Sequence, residues 1–196
     1  MYESVKEKLK VAPVAEIIRA RIFRIERGRL FTLKRFNSFL ASAPWSVKRA
    51  IGALVKSGDL ERVYRGVYMR PKNSPYVGRV RPSALKVARF LAKENGHKLQ
   101  PHGAEAVRQL GLSTQMQIKP IYLTSGPSRV VRVRNSVVQL IHQSPIRMQH
   151  AGTRVGVALT ALFYLGREAA EKPDVILAIN KYLSHEELRA LNASRI

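Results

Sequence analysis

The stretch FTLKRFNSFLASAPWSVKRAIGALVKSGDLERVYRGVYMR, residues Phe31–Arg70, decides the fold of the first part of the chain. Apolar residues recur in its middle at the i, i+3, i+4, i+7 and i+8 spacing of one helical face, namely Val47, Ala50, Ile51, Leu54 and Val55. Pro44 suits the first helical position because it has no N–H to leave unpaired, and Ser42 stands where a cap is expected. Gly58 is expected to end the helix in the left-handed conformation.

The face opposite the apolar stripe combines one aromatic, two cationic and two small side chains. Its members are Trp45, Arg49, Gly52, Ala53 and Lys56, with Ser46 and Lys48 on the flanks. Two small residues between Arg49 and Lys56 let the backbone lie deep in a DNA groove, where both cations reach bases or phosphates. A solvated charged face is the plain alternative interpretation of the same pattern.

A tight β-hairpin is predicted directly after this helix, over residues 60–69. Valine and tyrosine favour strands on both sides of Gly66, which supplies the turn. Arg65 falls at the tip of the hairpin, where it can enter a minor groove or lie along phosphates. A helix followed by a basic hairpin is typical of a winged helix-turn-helix. The predicted DNA-binding residues are Trp45, Ser46, Lys48, Arg49, Lys56, Arg62 and Arg65.

Three elements are expected to precede this recognition helix. The segment VAEIIRARIFRIERG, after Pro13, is amphipathic and predicts a first helix that ends at Gly28. A short edge strand is expected at Leu30 and Phe31. Thr32 then stands where it can cap a helix that buries Phe36.

The composition indicates a polyanionic partner. The 196 residues include 35 Lys plus Arg against 13 Asp plus Glu, for a formal net charge of +22 and a pI of about 11.1. Such an excess is typical of nucleic-acid-binding proteins. The cations are spread through apolar, periodic segments instead of low-complexity tails, which favours a folded binder of DNA or RNA.

Several classes of protein and site are disfavoured by the same residues. The chain has no cysteine, which excludes disulfides, thiol nucleophiles and thiolate zinc sites and fits a reducing cytoplasm. The segment Met1–Lys10 has no apolar core of a signal peptide, and the longest apolar run, Val155–Leu165, is shorter than the roughly 20 residues that span a bilayer. The histidines show no metal-ligand spacing, and no acid occurs between Glu105 and Glu168. We therefore expect a cytoplasmic protein without membrane contact, catalytic residues, metal or cofactor.

The chain is expected to have an α+β fold in two domains. Residues 1–72 form the winged helix-turn-helix, residues 73–82 a semi-extended linker rich in proline, and residues 83–196 a small mixed α/β domain. The second domain is predicted to contain the helices and strands that begin at Ser83, Ala104, Ile118, Val130, Val137, Gly152 and Glu186, together with the apolar run Val175–Ile179, and Ser184 with Glu187 reads as a capping box.

Three arginines in the second domain form a candidate second basic surface. Arg129, Arg132 and Arg134 occur along one predicted strand and are expected to share a sheet face. This face either contacts nucleic acid or keeps an exposed sheet soluble.

Two tracts of the sequence resemble AbiEi-type antitoxins of type IV toxin–antitoxin systems. They read RAIGALVKSGDLERVYRGVYMRP and AEAVRQLGLSTQMQIKPIYLTSGPSRVVRVRN, and the resemblance extends from about Val14 to Ile141. It implies an N-terminal winged helix that binds the promoter of its own operon and represses it. It also implies a C-terminal domain that counters a nucleotidyltransferase-type toxin without forming a stable complex.

Other interpretations stay open at this point. Winged helices often bind inverted repeats as dimers, but no apolar seam in the sequence indicates the oligomeric state. One alternative is that the C-terminal domain is an enzyme that reverses the action of a toxin. Another is that the protein binds RNA or the ribosome, for which the net charge of +22 is equally suitable.

Overall fold

The computed structural model describes residues 13–195 and divides between Pro82 and Ser83 into two compact units. Both units contain helices and strands, so the protein is mixed α+β as expected. No helix among residues 13–195 combines the length and apolarity needed to cross a bilayer. The polar segment Met1–Lys10 lies outside the described residues.

Over residues 13–82 the first unit contains three α-helices, a three-stranded sheet and a separate hairpin. Its elements are α1 (Val14–Phe23), β1 (Leu30–Thr32), a 3-10 turn (Leu33–Phe36), α2 (Asn37–Ser42), α3 (Pro44–Lys56), β2 (Glu61–Tyr64), β3 (Val67–Met69), β4 (Lys72–Ser74) and β5 (Gly78–Val80). The first sheet is antiparallel with the order β1-β3-β2, and β4 pairs with β5 alone.

The apolar stripe of α3 forms the centre of the first core. Its four buried residues are Val47, Ala50, Ile51 and Leu54, as the spacing predicts. They pack in one cluster with Ile18 and Ile22 of α1 and with Phe31 and Phe36, whose rings meet edge to face at 6.3 Å. Each fully buried valine, leucine, isoleucine or phenylalanine side chain contributes about 1.5–3 kcal/mol. The core therefore determines which face of α3 is left to solvent.

Local expectations around α3 are confirmed except for its cap. Pro44 is the first helical residue, and Gly58 and Gly66 have φ angles of +81° and +74°. The predicted cap at Ser42 is wrong, because Ser42 ends α2 and its hydroxyl donates to the carbonyl of Ser38. One unhelical residue, Ala43, separates the two helices, so the chain turns too soon for Ser42 to reach α3.

The expected linker over residues 73–82 is wrong in its conformation. Strands β4 and β5 turn most of this segment into an antiparallel hairpin, with Lys72 opposite Val80 and Ser74 opposite Gly78. This hairpin belongs to the first compact unit, which therefore extends to Pro82 instead of ending at residue 72.

The second unit has six helices and a four-stranded mixed sheet among the described residues. Its elements are α4 (Ala84–Glu94), β6 (Leu99–Pro101), α5 (Gly103–Gln109), β7 (Ile121–Thr124), β8 (Arg129–Val133), β9 (Ser136–His142), α6 (Arg154–Leu165), α7 (Arg167–Ala170), α8 (Pro173–Tyr182) and α9 (His185–Asn192). The strand order is β6-β7-β9-β8, in which β7 and β9 are parallel and the other neighbours are antiparallel.

Helix α6 is the buried centre of the second unit. Seven consecutive residues of α6, from Val155 to Ala161, are buried, as an apolar surface on all sides of the helix predicts. The capping box of α9 is also confirmed, since Ser184 and Glu187 each accept a backbone N–H of the other. Strand β6 and helix α7 have no counterpart among the predicted elements, because each is only three or four residues long.

Gly156 allows α6 to approach the preceding turn closely. A Cβ placed on Gly156 overlaps the carbonyl oxygen of His150, whose backbone is itself left-handed with φ +51°. The Gly156 N–H also donates a 3.2 Å hydrogen bond to the hydroxyl oxygen of Thr153, which caps the helix. The first turn of α6 is therefore held in place by contacts that leave no room for a methyl group.

We expect Gly156→Ala to destabilise the second unit by about 1–3 kcal/mol, the usual cost of overpacking. Gly52→Ala in α3 is the matched control, because no atom lies within 4 Å of the added Cβ. An added methyl in an exposed helix stabilises by roughly 0.5–1 kcal/mol. Calorimetric unfolding gives the melting temperature of each variant. If Gly156→Ala melted at the same temperature as Gly52→Ala, the close approach at Gly156 would be contradicted.

Candidate nucleic-acid interface

The predicted reading face of α3 is exposed along its whole length. Trp45, Ser46, Lys48, Arg49 and Lys56 are all exposed, and Trp45 retains 80% of its accessible surface. Gly52 and Ala53, between the cations, are exposed as well and have no bulky side chain. A helix with this face can bring its backbone close to a partner while cations reach outward on both sides.

Trp45 and Lys48 form one local unit at the start of α3. The ammonium of Lys48 lies 5.2 Å from the centre of the indole ring, one helical turn away. A cation over an exposed aromatic face gains about 0.5–1 kcal/mol. This contact fixes the indole at the N-terminal end of the helix, where recognition helices place the side chains that reach base edges.

The hairpin of β2 and β3 presents the two predicted wing residues to solvent. Arg62 lies in β2 and Arg65 at the turn, and both are exposed. The register of β2 shifts between Arg62 and Tyr64, which is the mark of a β-bulge and increases the local twist. The structure thus brings Arg62 and Arg65 onto a hairpin that follows α3 after four residues, Ser57–Leu60.

The first unit carries far more positive than negative charge. Residues 13–82 contain sixteen Lys and Arg against four Asp and Glu, a formal net charge of +12. Two of the four carboxylates, Glu16 and Asp59, line a groove between α1 and the C-terminal half of α3. Asp59 also accepts a 2.7 Å hydrogen bond from the Ser57 hydroxyl. These two acidic groups therefore lie along one edge of α3, where the groove is bordered by Ala53 of the exposed face and by the buried Ala50 and Leu54.

Glu61, the acid nearest the wing, is neutralised by two arginines. Its carboxylate accepts a 2.7 Å hydrogen bond from Arg81 Nε, and Arg79 Nε lies 2.9 Å from the second oxygen. Both arginines come from or just after β5, which the sequence had placed in the linker. The base of the β2–β3 hairpin consequently carries a net positive charge instead of a negative one.

Arg70 has a structural position in the first unit. Its guanidinium donates to the carbonyl oxygens of Phe23 at 2.6 Å and Ile25 at 2.8 Å, and lies 5.0 Å from the Phe23 ring centre. Carbonyls after the end of a helix need such donors because no further helical N–H reaches them. Arg70 thus ties the end of α1 to the strand pair and does not extend into solvent.

The three arginines of the candidate second surface do not share one sheet face. Arg129 has the same parity along β8 as Val131 and Val133, which are buried, whereas Arg132 is exposed on the opposite face. Arg129 Nε is buried without a hydrogen-bond partner among the described residues. Arg134 lies in the following turn with φ +51°. The prediction that the three arginines share one sheet face is therefore wrong for Arg129. Residues 129 and 132 are an odd number of positions apart, so their side chains lie on opposite faces.

The second unit also contains a small open cleft of about 200 Å³ beside the sheet. His102 and Arg147 line it together with uncharged residues, and none of the eight described lining residues is a carboxylate. Burial lowers the pKa of His102 below its usual value, because desolvation disfavours the charged imidazolium. The Ala104 N–H donates to its Nδ1 at 3.4 Å.

The nearest carboxylate on α5 is already paired. Arg108 donates two hydrogen bonds of 2.7 Å to Glu105 and lowers the pKa of that carboxyl. The same contact raises the pKa of Arg108 above its usual value. Within residues 13–195 no group of three or more histidines and carboxylates is placed to hold a metal ion.

Comparison with known proteins yields one match. The model of a family of unknown function, DUF6088, matches residues 17–191, from within α1 to the end of α9. No curated protein and no solved structure matches the chain significantly. The match covers most of the described residues of both units.

The single tryptophan offers a direct probe of the exposed α3 face. Because Trp45 is 80% exposed, we expect its fluorescence to have the long-wavelength maximum of a solvated indole and to be readily quenched by iodide. Addition of duplex DNA should shift the emission and protect it from iodide. Emission that is unchanged by saturating DNA would show that nucleic acid binds elsewhere on the protein.

Proposed function

We propose that this chain, which belongs to the DUF6088 family, is a sequence-specific DNA-binding protein whose first unit is a winged helix-turn-helix. Helices α2 and α3 are the helix-turn-helix, α3 is the recognition helix, and the β2–β3 hairpin is the wing. In this arrangement α3 enters the major groove and the hairpin lies along the adjacent backbone or minor groove.

One observation carries the proposal. The face of α3 that contains Arg49, Gly52 and Lys56 is exposed, while the opposite face is fixed by the core. An ordinary solvated helix also exposes cations, but small residues between them and a basic hairpin immediately afterwards are features that a groove requires. Arg49 is central on this face, and an arginine there can donate two hydrogen bonds to a guanine edge.

Lys48, Lys56, Arg62 and Arg65 are proposed to act mainly on phosphates. Each neutralised phosphate releases counterions, which gives affinity that decreases with salt but carries no sequence information. Ser46 and Trp45 lie at the N-terminal end of α3, where the hydroxyl can bond to a base or phosphate and the indole can contact a thymine methyl group or sugar.

The resemblance to AbiEi-type antitoxins extends the proposal to the biological role. On this basis the protein binds its own promoter, as a monomer or as a dimer on inverted repeats, and represses it. The second unit counters a nucleotidyltransferase-type toxin, without a stable complex. The family match over both units supports a role that needs the second unit as well as the first.

We expect Arg49→Glu to lower affinity for the DNA upstream of its own gene by about 100-fold or more, because it replaces a base contact of roughly 1–3 kcal/mol with repulsion. Lys172→Glu is the matched control. It makes the same change of charge at an exposed helix N-terminus in the second unit. Titration of both variants against this DNA and a shuffled duplex gives the comparison.

The same titration tests the rival interpretations across a salt series. Specific binding requires roughly a thousandfold preference for the upstream duplex over the shuffled one at physiological salt. Equal binding to both duplexes, with affinity that collapses as salt rises, means that the net charge acts only on phosphates. Tighter binding to structured RNA at matched salt would instead support an RNA-associated role.

The two activities of the proposed antitoxin should separate in one variant. We expect Arg49→Glu to release repression of the promoter and still protect cells from the toxin of the same operon, because the second unit is unchanged. Promoter-reporter activity and growth after toxin induction are the two measurements. Loss of both activities in a variant that is correctly folded by circular dichroism would contradict the assignment of repression to the first unit and of toxin protection to the second.

A further inference from the structure

The β4–β5 hairpin presents an apolar tip that the fold itself does not use. Its three-residue turn consists of Pro75, Tyr76 and Val77, of which Tyr76 is 93% exposed and Val77 is 75% exposed. Tyr76 is the most exposed aromatic residue among the described large hydrophobic side chains. The tip amide is partly ordered, since the Tyr76 N–H donates to the hydroxyl of Ser74 at 3.3 Å.

The base of the same hairpin is firmly attached to the first unit. An isolated two-stranded hairpin is at best marginally stable in water, so its contacts decide whether it persists. Arg79 and Arg81 both bind the carboxylate of Glu61 at the start of β2. This attachment connects the second hairpin to the base of the proposed wing.

Backbone contacts secure the other side of the base. The Gly28 N–H donates to the Arg70 carbonyl at 2.8 Å, and Arg27 donates to the Pro71 carbonyl at 3.4 Å. The aliphatic stem of Lys72 lies close to Gly28, where an added Cβ would be 3.2 Å from the lysine Cδ. The base of the hairpin is therefore held by several contacts, whereas the side chains of Tyr76 and Val77 at its tip are exposed.

The charge around the hairpin is complementary to a polyanion. No Asp or Glu occurs in the sequence between Glu61 and Glu94, and the carboxylate of Glu61 is itself paired with two arginines. The exposed Lys72 adds a further cation on β4. A basic stem below an apolar tip is the combination that minor-groove proteins use, with cations on phosphates and an apolar wedge between base steps.

The dimensions of the hairpin are compatible with insertion of the tip alone. Two paired strands lie about 4.8 Å apart between backbones, so with side chains the stem is wider than a minor groove of about 6 Å. The side chains of Tyr76 and Val77, at the end of a stem about 10 Å long, are narrow enough to enter that groove.

We propose that the β4–β5 hairpin is a second contact with duplex DNA, which places Tyr76 and Val77 in the minor groove and Lys72 beside a phosphate. This inference rests on the proposed DNA-binding function and adds a second element to it. The tip contributes apolar contact, which does not depend on salt, whereas Lys72 contributes one phosphate contact, which does.

The test compares three variants of the full chain on the duplex upstream of its own gene. Tyr76→Ser with Val77→Ser removes the tip. Met116→Ser with Ile118→Ser is the matched control, because these side chains of the second unit are 80% and 98% exposed. Lys72→Gln removes the stem cation. Affinity is measured across a salt series, with and without distamycin as a minor-groove competitor.

The tip variant should bind about 10-fold or more weakly, the effect of losing one stacking or wedge contact, with an unchanged salt slope. Lys72→Gln should lower the magnitude of the slope by about 0.9, and the Met116 and Ile118 variant should match the wild type. Distamycin should weaken binding of the wild type by a larger factor than binding of the tip variant.

Three results would overturn the inference. One is wild-type affinity of the tip variant. Another is wild-type binding that distamycin does not affect. The third is a tip variant that loses affinity and also sediments as a different oligomer from the wild type. That result would make the tip a contact between copies of the chain. If Arg49→Glu abolishes specific binding in the same assay, the proposed function survives these results. If the wild type binds no duplex, both proposals fail.

Discussion

The burial of the apolar stripe of α3 against α1 is the constraint on which the first unit depends. Val47 and Ile51 have almost no exposed surface, and they meet Ile18 and Ile22 in the same cluster. Rotation of α3 about its axis would bring Lys48 or Arg49 into this core, and an unpaired buried cation costs several kcal/mol. The core therefore fixes the direction of the basic face without any contact from the basic residues themselves.

Three carboxylates of the first unit have defined surroundings. Glu16 and Asp59 line the groove between α1 and α3, and Glu61 is paired with two arginines. Glu61 is the informative case, because a lone acid at the base of the proposed wing would oppose the proposed contact with phosphates. Arg79 and Arg81 reverse the sign of the charge there and attach the second hairpin in the same contact, so one ion-pair cluster has an electrostatic and a mechanical effect.

The second unit is organised around a helix that is buried on nearly all sides. Its charged residues are distributed differently from those of the first unit. Arg129 is drawn toward the buried face of the sheet, while Arg132 faces solvent. Glu105 is paired with Arg108 within one turn of α5. Its positive surface is thus made of dispersed arginines, in contrast to the single basic face of α3.

The sequence alone determined the elements whose signal is local. The stripe of α3, the turn at Gly66 and the capping box of Ser184 each depend on residues within about one or two helical turns, so spacing and residue type were sufficient. The exposed residues Trp45, Arg49 and Lys56 were predicted for the same reason, because the buried stripe implies the opposite face.

Only the tertiary structure decided the features that depend on distant partners. Strands β4 and β5 have no alternation of apolar residues, and their hairpin is attached through Glu61, which lies outside the segment. Arg70 was indistinguishable from a wing cation until its carbonyl partners on the α1 side were known. Sequence spacing shows which residues share a face of a helix or strand. The partner of a charged side chain depends instead on which segments the fold brings close to it, and those segments lie far apart in the chain.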